Sequence, residues 1–310
     1  MKNLRAIVAV LLVGVLAAAC SPTNERRPVS LREVSPPEGA LSGKIAFVRE
    51  TAVGATSLFV QDLDSGNVIE LDVPGEFIDS PTWSPDGNSL AYASAGNDGI
   101  THIWVANADG SGAKQITRGD APDAYPTFSP DGTEIAFASI RSSDESWHLF
   151  STSVDGGGVE QLTSGGSEDV YPTWDPNGGR IVYSSKAGDD DYSLYSVDIA
   201  SGSIERLTDD SEGEDLFPSF SPDGSTIAFA STRRDDVWQI YTLEASSGDV
   251  ERLIGSDSSD RQPVFSPDGK YIAMATDHLA VYAGPGEDLP DGKLRWRLTD
   301  KPALSPSWTS

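Results

Sequence analysis

Residues 126–138 read Pro126-Thr127-Phe128-Ser129-Pro130-Asp131-Gly132-Thr133-Glu134-Ile135-Ala136-Phe137-Ala138. The Ser-Pro-Asp-Gly step is a tight turn, because proline presets φ at its second position and glycine tolerates the exit. An apolar run of strand character follows it. The same turn recurs at Ser84-Pro85-Asp86-Gly87, Ser221-Pro222-Asp223-Gly224 and Ser266-Pro267-Asp268-Gly269, and Asp175-Pro176-Asn177-Gly178 fills the one gap. Successive copies begin 45, 46, 46 and 45 positions apart. An aromatic stands two residues before each turn proline (Trp83, Phe128, Trp174, Phe220, Phe265), and a further proline two residues before that (Pro81, Pro126, Pro172, Pro218, Pro263).

Working outward, each unit predicts four strands. After the turn and its apolar strand comes an alternating strand such as His102-Ile103-Trp104-Val105, then a glycine-bearing hairpin such as Asp109-Gly110-Ser111-Gly112, then a closing Gln115-Ile116-Thr117 or Arg206-Leu207-Thr208. Four short strands at this period specify an all-β fold, a propeller blade per repeat. Residues 43–72 hold only the last three strands of a unit, and the missing first strand recurs at the other end as Ser305-Pro306-Ser307-Trp308. The expectation is a six-bladed β-propeller whose C-terminal strand completes the N-terminal blade, with boundaries 1–19 leader, 20–42 tether and 43–310 ring.

The chain has 310 residues, 48 acidic and 22 basic, a net charge of −26, and one cysteine. The charge excludes a nucleic-acid binder, which needs a basic face to displace counterions. It also excludes adsorption of the folded surface to anionic lipid. One cysteine excludes an internal disulfide and a cysteine-based zinc site. Lys2 and Arg5 precede an uncharged run from Ala6 to Ala19, 14 residues, which is signal-peptide length and short of a span. Leu16-Ala17-Ala18-Ala19-Cys20 resembles the bacterial lipobox, which implies a diacylglycerol on Cys20, and Ser21 after it favours the outer membrane, facing periplasm or cell surface. The prolines of residues 21–42 read as a tether of roughly 25 Å mean span. Setting aside two bases of the leader and three bases and three acids of the tether leaves 17 basic and 45 acidic residues on the ring.

The repeat resembles the TolB-type propeller, with its P-x-W-S-P-D-G-x-x-I-A-F pattern, over residues 43–309. That family carries an α/β domain before its propeller, where this sequence has the tether. The resemblance implies a partner docked on the loop face and a channel with room for a Ca²⁺ ion. Because the repeat accounts for nearly every residue, the expectation is a non-catalytic scaffold that binds an envelope protein or peptide, a monomer touching the membrane only through the lipid on Cys20. No cofactor or metal is assigned from the residues. The same repeat caps some serine peptidases, but no Gly-x-Ser-x-Gly elbow occurs here.

Candidate contacts cluster where loops enter the inner strands. Asp123, Asp169, Asp215 and Asp260 lie three residues before the inner-strand proline, Asp79 lies two before it, and Ala303 takes the place in the closing strand. Tyr125, Tyr171, Phe217 and Gln262 precede the proline directly. A ring of carboxylates beside aromatics would receive a cation or basic peptide. Arg141, Lys186, Arg233 and Arg234, in loops on the same face, would instead make structural ion pairs with them. The histidines His102, His148 and His278 are read as lying at different places in different units, and not at ligand spacing. The alternative function is a carbohydrate-active enzyme, glycosidase or lyase, using two channel carboxylates.

Overall fold

The computed structural model describes Pro36 and residues 39–310, except 53–54, 97, 188–190, 210–212, 235–236, 255–258 and 285–295. The leader, Cys20 and nearly all of the tether lie outside the described residues.

The described chain forms six four-stranded antiparallel sheets. Blade 1 contains β1 (Lys44–Ala52), β2 (Ala55–Asp62) and β3 (Val68–Glu70). Blade 2 runs β4 (Glu76–Trp83), β5 (Ser89–Ala95), β6 (Thr101–Asn107), β7 (Lys114–Gln115), and blade 3 runs β8 (Asp123–Phe128), β9 (Glu134–Ser139), β10 (His148–Ser153), β11 (Glu160–Gln161). Blade 4 comprises β12 (Ser167–Trp174), β13 (Arg180–Ala187), β14 (Ser193–Asp198) and β15 (Ile204–Arg206). Blade 5 comprises β16 (Asp215–Phe220), β17 (Thr226–Ser231), β18 (Gln239–Glu244) and β19 (Val250–Ile254). Blade 6 comprises β20 (Arg261–Phe265), β21 (Tyr271–Ala275), β22 (Leu279–Ala283) and β23 (Trp296–Arg297). The last strand, β24 (Leu304–Thr309), pairs with β1, with Lys44 opposite Thr309 and Ile45 opposite Trp308. The C-terminal strand thus closes the ring, as the repeat count requires.

The core lies between blades. Ile45, Phe47 and Phe59 of blade 1 pack on Ala273, Leu279 and Val281 of blade 6, and Leu58 and Val60 pack on Trp83, Leu90 and Tyr92 of blade 2. Directly opposed aromatics on the two middle strands thicken the seams: Phe47–Phe59, Phe137–Phe150, Tyr183–Tyr195 and Phe229–Tyr241, with centroids 5.7–6.2 Å apart.

The Ser-Pro-Asp-Gly turn is tied by its own side chains. Ser129 Oγ donates to Asp131 Oδ1 (2.7 Å) and accepts from Glu134 N, while Thr133 N donates to Asp131 Oδ1. The variant turn keeps the aspartate acceptor at its first place: Asn177 N donates to Asp175 Oδ1, and Arg180 Nε to Asp175 Oδ2. A second recurrent tie sits at the outer strand. Thr117, Thr163, Thr208 and Thr299 each accept, through Oγ1, the backbone N–H of Ile103, Leu149, Leu194 and Leu279. These buried donors would otherwise be orphaned, at a cost of about 1–3 kcal/mol each.

Candidate functional site

Each inner strand bulges once at its X-Pro step, and blade 2 bulges twice. The residue before the proline is left-handed in all six: Ser80 (φ 50°), Tyr125 (56°), Tyr171 (54°), Phe217 (59°), Gln262 (52°) and Ser305 (52°). Proline has no N–H to lose from a ladder, and it bars the preceding residue from the right-handed helical region, so the bulge settles there. The result turns six consecutive side chains toward the axis. Tyr125 lies 4.1 Å from Tyr171, and Tyr171 lies 4.2 Å from Phe217, centroid to centroid. On the other side of the axis, Gln262 Nε2 donates to Ser305 Oγ (3.1 Å) and Gln262 Oε1 accepts from Ser305 N (2.9 Å). Ser305 Oγ donates in turn to Asp79 Oδ1 (2.8 Å). The axis is therefore lined by an aromatic half and a polar half.

The expected ring of solvent-facing carboxylates is not what the fold builds. Asp123, Asp169, Asp215 and Asp260 are at most 1% exposed. Their place, three residues before the proline, aims them into the seam. Asp123 Oδ1 accepts from Arg141 Nη2 (2.5 Å), and Arg141 stacks over Phe137 and Phe150. Asp215 Oδ2 accepts from Arg233 Nη2 (2.6 Å), and Arg233 stacks over Phe229 and Tyr241. Asp169 accepts from Ser185 Oγ (2.6 Å) and from Thr163 Oγ1 (2.6 Å) of the preceding blade. Lys186 pairs with Glu168 (3.4 Å) rather than Asp169, over the ring of Tyr192. These are the structural pairs the loop cations foretold, made within a blade. Burial raises the Asp215 carboxyl, and Arg233 with Ser231 and Thr208 pull it back part of the way.

The histidines are not scattered. His102, His148 and His278 each stand within one residue of the start of the third strand of their blade, directly before Ile103, Leu149 and Leu279. All three are buried. His148 sits between Asp144 of its own loop (Nε2, 2.9 Å) and Asp169 of the next blade (Nδ1, 3.2 Å). His102 repeats this with Asp98 and Asp123, both 3.5 Å away. Burial lowers the His102 pKa, but Asp123 and Asp98 overcome it and the net direction is up. Alignment of the strand starts would have shown the equivalence.

Only Asp79 of the predicted carboxylates reaches the axis. Besides Ser305 it accepts from Ser80 N (2.7 Å) through the same Oδ1. Withdrawal from water raises its pKa, against the lowering by those hydrogen bonds. Burial likewise pushes the Tyr125 and Tyr171 hydroxyls far up, and the Asp79 charge adds to both. Phe77, near the start of the same inner strand, is 45% exposed.

The TolB beta propeller domain model matches residues 32–189 and 170–308. Among solved structures, TolB from Acinetobacter baumannii superposes with a TM-score of 0.71 at 23% identity, covering 88% of this chain and 68% of that one. A putative TolB from Agrobacterium tumefaciens gives 0.67 at 23% identity, covering 86% and 92%. Kuenenia stuttgartiensis hydrazine synthase gives 0.68 at 16% identity over 86% of this chain and 46% of its own. No match is found among functionally curated proteins. At these identities the structural likenesses establish fold, while the model match, spanning nearly the whole ring, establishes kinship: the chain belongs to the TolB beta propeller domain family.

Proposed function

We propose that this propeller is a non-catalytic scaffold that binds a protein or peptide at its channel face, exported and held at the outer membrane by a lipid on Cys20. The observation that carries the reading is the channel face itself. Its inner tier is a partly exposed arrangement of Tyr125, Tyr171, Phe217, Gln262 and Asp79, and Phe77, on the same strand as Asp79, is exposed. Exposed aromatics on rigid strands favour docking over chemistry. Kinship with the TolB propeller family supports an envelope setting, and the lipobox-like stretch supports the anchor. The carbohydrate-enzyme alternative needs two carboxyls facing one open pocket. Asp123 and Asp215 are instead engaged by Arg141 and Arg233 inside the seams.

The test is site-specific photocrosslinking of the lipidated protein in its own membranes. A crosslinker at position 77 should capture one discrete partner, and one at Ile204, exposed on the outer strand of blade 4, should not. Equal capture from both positions, or none from 77, would defeat the assignment of the channel face. Substitution of Cys20 by Ser should release the protein from membranes. Retention of that variant would defeat the anchor.

A further inference from the structure

The inner strand of blade 2 departs from the other five. It alone has two register shifts, at Glu76/Asp79 and Asp79/Thr82. It holds two left-handed non-glycine residues, Phe77 (φ 53°) and Ser80. Gly75 (φ 107°) leads into it so closely that a Cβ there would fall 2.1 Å from Ser94 Oγ. A left-handed phenylalanine is a strained conformation that persists only where its surroundings impose it. From Asp79 onward the register is the common one, and Asp79 stands opposite Ala93 as Ala124, Val170 and Leu216 stand opposite Ala138, Ser184 and Ala230, one residue later than the seam aspartates. A shift of one residue turns a strand side chain to the opposite face. Asp123, Asp169 and Asp215, three residues before their prolines, point into seams and are matched there by Arg141, His148 and Arg233. Asp79, two residues before its proline, meets the inner tier, and no basic side chain among the described residues pairs with it.

Its two oxygens are unequal. Oδ1 is fixed by Ser305 Oγ and Ser80 N, and Ser305 is itself held by Gln262. Oδ2 is not the acceptor of either of these bonds, the Ser80 hydroxyl being the further donor beside the carboxyl, and Oδ2 is not among the sealed polar atoms that lack a partner. An oriented, partly desolvated carboxylate with one open oxygen accepts only; its ligand must donate, and a positive one is held most strongly. Tyr125 and Tyr171 stand close enough for the Asp79 charge to oppose the ionisation of both. Their ring faces suit an alkylammonium. Calcium asks for six to eight oxygens, usually with several carboxylates, and the tier offers one.

We infer that Asp79 anchors a site for a single organic cation, a primary ammonium of the kind carried by a lysine side chain or a peptide N-terminus, between its Oδ2 and the Tyr125–Tyr171 pair. This rests on the scaffold reading: the ammonium is the part of the partner that enters the axis.

The experiment titrates full-length protein in detergent with n-butylammonium chloride, and in parallel with n-butanol, by calorimetry in about 0.15 M NaCl, where diffuse attraction is screened beyond about 8 Å. Saturable butylammonium binding is expected, with no heat from butanol. Asp79→Asn retains an acceptor for Ser80 and Ser305, so it should melt like wild type yet bind at least tenfold more weakly. Asp300→Asn, on an exposed loop, should bind as wild type does. Equal affinity in Asp79→Asn would reduce the effect to the net charge and overturn the site, as would the lack of saturable binding. Displacement of butylammonium by Ca²⁺ alone at about stoichiometric levels, lost with Asp79→Asn, would make it a metal site instead. If position 77 still captures a partner while butylammonium fails, the scaffold stands and the ammonium site falls; if butylammonium binds and capture fails, the reverse holds.

Discussion

Replacing Arg233 by Met tests whether the seam carboxylates serve the fold. The Arg233 side chain is 9% exposed and the Asp215 side chain 0%. Methionine still covers Phe229 and Tyr241, so most of the packing survives while the charge is lost. A buried carboxylate stripped of its cation costs about 3–5 kcal/mol. In a ring of this size that corresponds to a drop in Tm of roughly 10 °C. The penalty has a pH signature. Burial already raises the folded pKa of Asp215, and losing Arg233 raises it further. A carboxyl raised on folding costs stability above its folded pKa, and the cost is relieved as pH falls toward the unfolded value. The gap between Arg233→Met and wild type should therefore be widest at pH 7 and narrow toward pH 4. Adding Asp215→Asn should recover most of the loss at pH 7 and abolish the pH dependence of the gap. Urea unfolding of the three proteins between pH 4 and 8 reads all of this. A loss under about 1 kcal/mol at pH 7, or a gap that widens on acidification, refutes the reasoning.

Three further outcomes follow from the same geometry. Thr163→Val removes the donor to Asp169 Oδ2 and the acceptor for Leu149 N, and should cost about 2–3 kcal/mol in urea titration. The turn carboxyls Asp86 and Asp223 are held at about 2, chiefly by Ser84 and Ser221; their contribution is complete above the unfolded value near 4 and is lost as pH falls toward 2, so Ser221→Ala should move the acid-unfolding midpoint upward in a circular-dichroism titration. Truncation after Ala303 strips the partner from β1 and the Ser307 carbonyl from Trp83 Nε1 (3.2 Å). Size-exclusion chromatography should then show oligomers and aggregate in place of a monomer.

The blades were legible because a turn that demands Pro and Gly stamps its residues into every repeat. The apolar run after the turn, Ile135 to Ala138, falls within β9, and Ser305-Pro306-Ser307-Trp308 lies in β24. The direction of the aspartates was not legible. Whether a strand-entry carboxylate meets the seam or the axis depends on its place relative to the bulge at the proline, and a bulge is a matter of backbone torsion that composition does not record. The one-residue displacement of Asp79 was visible, but the left-handed Phe77 and the second register shift before it were not. The cross-strand aromatic pairs depend on register, which needs both strands fixed at once. The contacts of His102 with Asp123 and of His148 with Asp169 cross between blades, and spacing within one repeat cannot reveal them.

The pairing of β24 with β1 has a consequence for how the molecule comes into being. Trp308 Nε1 reaches Ser42 O across 266 positions, so the first strand synthesised waits for the last. Every other blade can assemble from contiguous chain as it emerges. Blade 1 stays one strand short until β24 has been made, with the β1 edge open to any other extended segment in reach. Such long-range pairing is slow and exposed to misassembly. Folding at this seam thus runs last to first, and the nascent chain's period of greatest vulnerability is set by the time needed to make five blades rather than by the stability of any one of them.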